Sequence, residues 1–398
     1  LICTLQDSVA IDAPAIVAVE NDGSTDTLKV TWTSPADATA HEVTWSPPDG
    51  SDSGTSGDLS GTATEYMITD LTPGTLYNVT VNATGTDGTV NDDSGQGRTM
   101  PSQVSDLAES GATTDSVSAT WTKPSGVVSS YSVTCPDAST QTVPEDNDGV
   151  ARTVTCSSLP DPGPGGNHTI TVVTLSGTKA SGPATVTITA LPSAVILLEG
   201  PSNNTAISAS WKIPDSVVDT FTITCSAGTA SPASISVESS PTNDTFTAYC
   251  IKLPTPGLEY IISVVAISNG KQSAVQTVGV HASPAGVELT EGSPTTTSVS
   301  VNWAKPDGTV ESYSISCSSG DASPATIEDT TQPSYVASCD NLLVPGDTYT
   351  MTVDSIVNNG TTTTSSSIDL VALPSAVGLS EGPSNNTAIS ATWTIPNS

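Results

Sequence analysis

The sequence is poor in positive charge. Nine lysines and arginines stand against 41 aspartates and glutamates in 398 residues, a formal charge of −32. A field of that sign repels phosphate backbones and anionic headgroups, so neither nucleic acid nor a membrane surface is expected as a partner. It reads instead as a solvated acidic surface. No apolar run approaches the roughly 20 residues needed to cross a bilayer. Histidine is also scarce, with three in the chain, and there is no Gly-x-Ser-x-Gly, no His-Glu-x-x-His and no phosphate-cradling glycine loop. Without convergent acid, base or nucleophilic groups, no enzymatic activity, cofactor or metal is expected. The first residue is Leu1 and no signal peptide is visible, so a mature or excised piece is expected.

Aromatics make up only 4% of the residues and charged side chains 13%, whereas there are 31 glycines and 29 prolines among abundant serine and threonine. That mixture favours short strands and tight turns over helices. The length implies more than one core. Five of the six tryptophans set a ruler: Trp32, Trp121, Trp211, Trp303 and Trp393 lie 89, 90, 92 and 90 residues apart. Each closes an alternating run, "LKVTW", "VSATW", "ISASW", "VSVNW" and "ISATW". Alternate residues of a strand share a face, which turns Val117, Ala119 and Trp121 inward and Ser118 and Thr120 outward. A proline follows each tryptophan by three residues (Pro35, Pro124, Pro214, Pro306, Pro396), where it can end the strand.

The next alternating run is "HEVTW", "YSVTC", "FTITC" or "YSISC". A Leu–Pro–Gly turn comes later ("LTPGTLY", "LPDPGPGGNH", "LPTPGLEY", "LLVPGDTY"), then another alternating strand such as "YNVTVNAT". Several short strands at even spacing describe an antiparallel β-sandwich. Taken together, the inward Trp, the Tyr-x-Val strand and the Leu–Pro–Gly turn with its following Tyr resemble fibronectin type III domains. The resemblance implies an all-β chain of tandem immunoglobulin-like sandwiches stacked end to end. It runs over 14–100, 101–191, 192–283 and 284–373. Residues 1–13 would end an upstream domain or form a linker, and 374–398 would open a fifth. His168 stands where Tyr77, Tyr260 and Tyr349 hold the turn, and His41 where Tyr131, Phe221 and Tyr313 stand. Both are expected as packed imidazoles. Residues 191–216 and 373–398 match at 21 of 26 positions across an offset of 182 residues, so a pair of domains is the duplicated unit. Two strands cannot bury a sandwich core, so continuation beyond Ser398 is expected.

Six of the seven cysteines fall two per domain: Cys135 with Cys156, Cys225 with Cys250, and Cys317 with Cys339. The first domain has Trp45 and Ile68 at the same positions. This all-or-none pattern favours bridges between the two sheets over free thiols or zinc ligands, which would be closely spaced. Cys3 has no evident mate here and would pair upstream or between chains. Bridges belong outside the reducing cytosol. Seven Asn-x-Ser/Thr sequons agree, at Asn78, Asn82, Asn167, Asn203, Asn243, Asn359 and Asn385. By alternation Asn78 and Asn82 face solvent and could carry N-linked glycans. The acidic stretches 47–61 and 86–95 read as solvated flexible turns, and "TTTTSSS" (361–367) as a mobile polar hairpin loop. Junctions such as "RTMPSQV" and "TALPSAV" leave almost no spare residues, so limited hinge freedom is expected, with about 30 Å per domain from strand rise. The expected function is an extracellular structural or adhesive repeat protein, a stiff glycosylated rod that spaces and laterally contacts other protein chains and assembles into a filament. The alternative is the ectodomain of a signalling receptor, such as a receptor tyrosine phosphatase.

Overall fold

The structure is a computed structural model that describes residues 10–146, 148–239, 245–330 and 332–395. Cys3, Asn243, Pro396 and Ser398 lie outside the described residues. The chain divides into two compact units, Leu1–Pro192 and Ser193–Ser398. Each holds two β-sandwiches, and each sandwich encloses its own hydrophobic cluster.

In the first unit, the first sandwich sets Leu28–Thr33 between Ala15–Glu20 and Glu65–Ile68. Its second sheet sets Leu76–Gly85 between Ala38–Ser46 and Val90–Arg98, with two short strands on the outer edge of Ala38–Ser46. Ile11 is buried here, its N–H donating to Thr89 Oγ1 and its carbonyl accepting from Asn91, so this sandwich reaches back into the segment expected as linker. The second sandwich repeats the plan. Ser116–Trp121 lies between Ala108–Ala112 and Arg152–Ser157, and faces a sheet built on Ser130–Thr134 and Asn167–Ser176. Along Ser116–Trp121 burial alternates residue by residue, with Val117, Ala119 and Trp121 inside.

In the second unit, the third sandwich packs Ala206–Lys212 and Thr245–Ile251 against Thr220–Cys225, Glu259–Ser268 and Gln276–His281. The fourth packs Val299–Ala304 and Ser334–Asp340 against Ser312–Cys317, Thr348–Val357 and Thr362–Val371. Gly378–Glu381 pairs with Ala391–Thr394 as a separate two-stranded sheet that leaves Trp393 65% and Ile389 91% exposed. Strands stop before the expected prolines, at Thr33, Trp121, Lys212 and Ala304, because proline offers no N–H to the ladder.

Two expectations need correction. The "TTTTSSS" segment is not a loop: from Thr362 it forms the edge strand Thr362–Val371, paired with Thr348–Val357 along its whole length. Threonine is β-branched and favours strands, and one face of an edge strand can be wholly polar. The acidic stretch 86–95 is likewise strand from Val90 onward, with Asp92 opposite Asn82 and Asp93 opposite Val81. Only the turn at 86–89 is loop.

Candidate functional site

Each core is organised around an aromatic pair. Trp121 meets Tyr131 edge-on at 5.3 Å between centroids, Trp211 meets Phe221 at 5.5 Å and Trp303 meets Tyr313 at 5.5 Å. His41 takes this place in the first sandwich, 5.5 Å from Trp32 and 1% exposed. Its Nδ1 lies 3.1 Å from the Ser60 carbonyl. A carbonyl can only accept, so Nδ1 carries the hydrogen.

The turn before the long strand is pinned by one repeated bond. The hydroxyls of Tyr260 and Tyr349 each accept from the N–H, and donate to the carbonyl, of the residue five back, Thr255 and Val344. His168 keeps that five-residue reach, with Nε2 donating 2.8 Å to the Gly163 carbonyl. Tyr77 accepts from Thr72 N–H at 2.9 Å but donates to the Asp52 carboxylate instead. That hydroxyl, with Thr72, holds the Asp52 carboxyl below its ordinary range. Desolvation first, then the Asp52 hydrogen bond, pushes the Tyr77 phenol up to about 12. His41 and His168 are therefore framework side chains. His281 ends its strand opposite Glu259, a single carboxylate rather than a cluster.

Sequence reading missed one charged cluster. Arg152 sits opposite Trp121, at the register position that Phe246 holds opposite Trp211 and Tyr335 opposite Trp303. Its Nη2 donates to Glu145 at 2.9 Å, to Asp148 at 2.8 Å and to Asp146. Glu145, with a side chain only 1% exposed, also accepts from Tyr131 Oη at 2.8 Å. Burial, then this bond to Glu145, pushes the Tyr131 phenol above its usual range, while Arg152 holds Asp148 below the usual carboxylate range. A guanidinium thus occupies the centre of these carboxylates. The only signal for it in the sequence was a single arginine among "PEDNDGVAR", which does not reveal which way the side chain turns. Among the described residues, no group of three or more His, Cys, Asp or Glu is placed to hold a metal ion.

The structure bonds Cys135 to Cys156, Cys225 to Cys250 and Cys317 to Cys339, with Cα separations of 5.6, 5.8 and 5.9 Å. Each bridge joins the two sheets of its sandwich. In the first sandwich Ile68 is fully buried and the Trp45 ring lies against Gly54 and stacks on Tyr66 at 6.3 Å. Of the sequons, Asn78, Asn167, Asn203, Asn359 and Asn385 are exposed, and Asn82 is half-buried. Asn203 and Asn385 each accept from the N–H and hydroxyl of the threonine two residues on, Thr205 and Thr387. Among the described residues no helix is long and apolar enough to cross a membrane.

Two stretches, 12–96 and 282–370, match the sequence family described as Fibronectin type III domain. The chain carries tandem fibronectin type III domains, and its architecture is that of tandem antiparallel sandwiches. No curated protein sequence matches it. Among solved structures it is similar to a two fibronectin type-III domain segment from chicken tenascin, at 21% identity and a TM-score of 0.36, over 45% of this chain and 99% of that one. It is also similar to the chicken CNTN1 FN1–FN3 domains, at 16% identity and a TM-score of 0.25, over 68% of this chain and 98% of that one.

Proposed function

We propose that the chain is a non-enzymatic, extracellular structural or adhesive repeat segment, a glycosylated spacer that presents sandwich faces to other protein chains and assembles laterally into filaments. The observation that carries this reading is the near-copy of 191–216 at 373–398, at 21 of 26 positions, on repeated sandwiches of one plan. Copying a pair of domains lengthens an array without building a new reactive centre, and stability in such arrays is a sum over units and their neighbours. Three sheet-tying disulfides support an oxidising compartment, since thiols are kept reduced in the cytosol. Exposed sequons support glycans on the outward strand positions.

The test is secretion of residues 1–398 from eukaryotic cells, followed by glycopeptide mass spectrometry and sedimentation velocity over a hundredfold range of concentration. Glycan on several of the seven sequons and self-association that rises with concentration are expected. Bare asparagine at every sequon would remove the glycosylated extracellular reading. A monomer at all concentrations would remove the filament.

A further inference from the structure

Inside each unit, the turn of the leading sandwich meets a loop of the one that follows it, and both units do so with the same atoms. In the first unit Val127 N–H donates 2.9 Å to the carbonyl of Pro73, the proline of the Pro–Gly turn. In the second unit Thr309 N–H donates 2.9 Å to the Pro256 carbonyl. Two glycines face each other at each joint. A Cβ on Gly74 would lie 2.2 Å from Val127 O, and one on Gly257 would lie 2.0 Å from Thr309 O. From the opposite side, a Cβ on Gly126 would lie 2.3 Å from Pro73 O, and one on Gly308 would lie 2.4 Å from Pro256 O. All four carry positive φ, between +70° and +97°, where other residues are strained.

The turn is also tied to the linker, because Gly74 N–H donates to Met100 O at 3.0 Å and Gly257 N–H to Ser283 O at 3.2 Å. The end of the long strand in the following sandwich closes the joint through Ser176 in one unit and Val357 in the other. In the first unit Arg98 Nη1 adds bonds to Gly74 O at 2.7 Å and Ser176 Oγ at 3.0 Å.

We propose that this glycine-to-glycine joint is a fixed docking surface between consecutive sandwiches, and that the duplicated pair of domains is one rigid body held by it. Two backbones can approach this closely only where neither carries a side chain. A duplication of 182 residues therefore copies a finished joint along with the two folds.

Residue-resolved hydrogen exchange on the intact chain tests this. The amides of Val127 and Thr309, though in loops, should exchange at least 100-fold more slowly than their free-chain rates. Gly74→Ala changes only the leading sandwich and should speed Val127 exchange at least tenfold, leaving Thr309 and the strand Ser130–Thr134 unchanged. Gly257→Ala should do the reverse. If either glycine variant fails to fold, Arg98→Ala introduces no backbone strain and should still speed Val127 severalfold. Free-chain exchange at Val127 and Thr309 in the unaltered protein would overturn the proposal. So would a folded Gly74→Ala variant with Val127 unchanged.

Discussion

Glu145 and Arg152 can be exchanged together for the residues that the third sandwich uses in their place. Val237 donates its N–H to Asp219 O as Glu145 does to Ser129 O, and Phe246 pairs with Trp211 as Arg152 does with Trp121. Glu145→Val alone leaves Arg152, only 9% exposed, with two carboxylates at the surface, and strips Tyr131 of its acceptor. Removing one partner of a buried ion pair costs about 3–5 kcal/mol, and the surviving contacts to Asp146 and Asp148 place this at about 3 kcal/mol. Arg152→Phe alone leaves a carboxylate buried at 1% exposure without its guanidinium, at about 4 kcal/mol. The double variant removes both charges and lets Phe stack on Trp121, as Phe246 stacks on Trp211 at 6.2 Å and Tyr335 on Trp303 at 5.9 Å. It should fall within about 1.5 kcal/mol of the unaltered protein, since burying well-packed apolar side chains in place of an ion pair is often neutral. The assay is exchange of the slowest amides in Ser130–Thr134 and Asn167–Ser176, with Leu76–Gly85 of the first sandwich as internal standard. A Glu145→Val cost below about 1 kcal/mol, or a double variant no better than either single one, would refute the reasoning.

Replacing Cys225 and Cys250 by serine should destabilise the third sandwich by about 3 kcal/mol, because the bridge closes a separation of 25 residues in the unfolded chain. Urea unfolding that moved by less than about 1 kcal/mol would count against this. His168→Tyr should keep the bond to residue 163 and match the original in thermal melting, whereas His168→Ala removes one donor to the Gly163 carbonyl, which still accepts from Gly166 N–H at 3.1 Å, and should cost about 0.5–1.5 kcal/mol. The lowered Asp52 pKa means its contribution is present above the ordinary aspartate pKa of 3.8 and is lost as pH falls through the lowered value. Asp52→Asn should therefore flatten the acid limb of first-sandwich stability, measured by exchange between pH 2 and 5. Asn78 and Asn82 lie four residues apart on one strand, about 13 Å by strand rise, so glycopeptide mapping should find molecules with both occupied.

Much of this protein was legible from its alternation. A strand repeats every two residues, so "VSATW" by itself determines that Val117, Ala119 and Trp121 share the buried face. Of the tryptophans that recur about every ninety residues, Trp32, Trp121, Trp211 and Trp303 each lie in one hydrophobic cluster, and the paired cysteines stand at matching positions of three sandwiches. Polar strands were less legible: "TTTTSSS" has no apolar face to reveal its period, and only the ladder to Thr348–Val357 makes it a strand. Charged side chains were also hidden, because sequence gives Arg152 its charge but not its burial, which depends on carboxylates that the fold brings from 145, 146 and 148. The glycine joints belonged wholly to tertiary structure. Gly74 reads only as part of its Leu–Pro–Gly turn and the sequence singles out nothing at Gly126; only the approach of two sandwiches, with Val127 N–H on Pro73 O, makes the absence of a side chain at both positions a requirement. Local pattern fixes which way a side chain faces, whereas the distance between two backbones is set by everything packed around them.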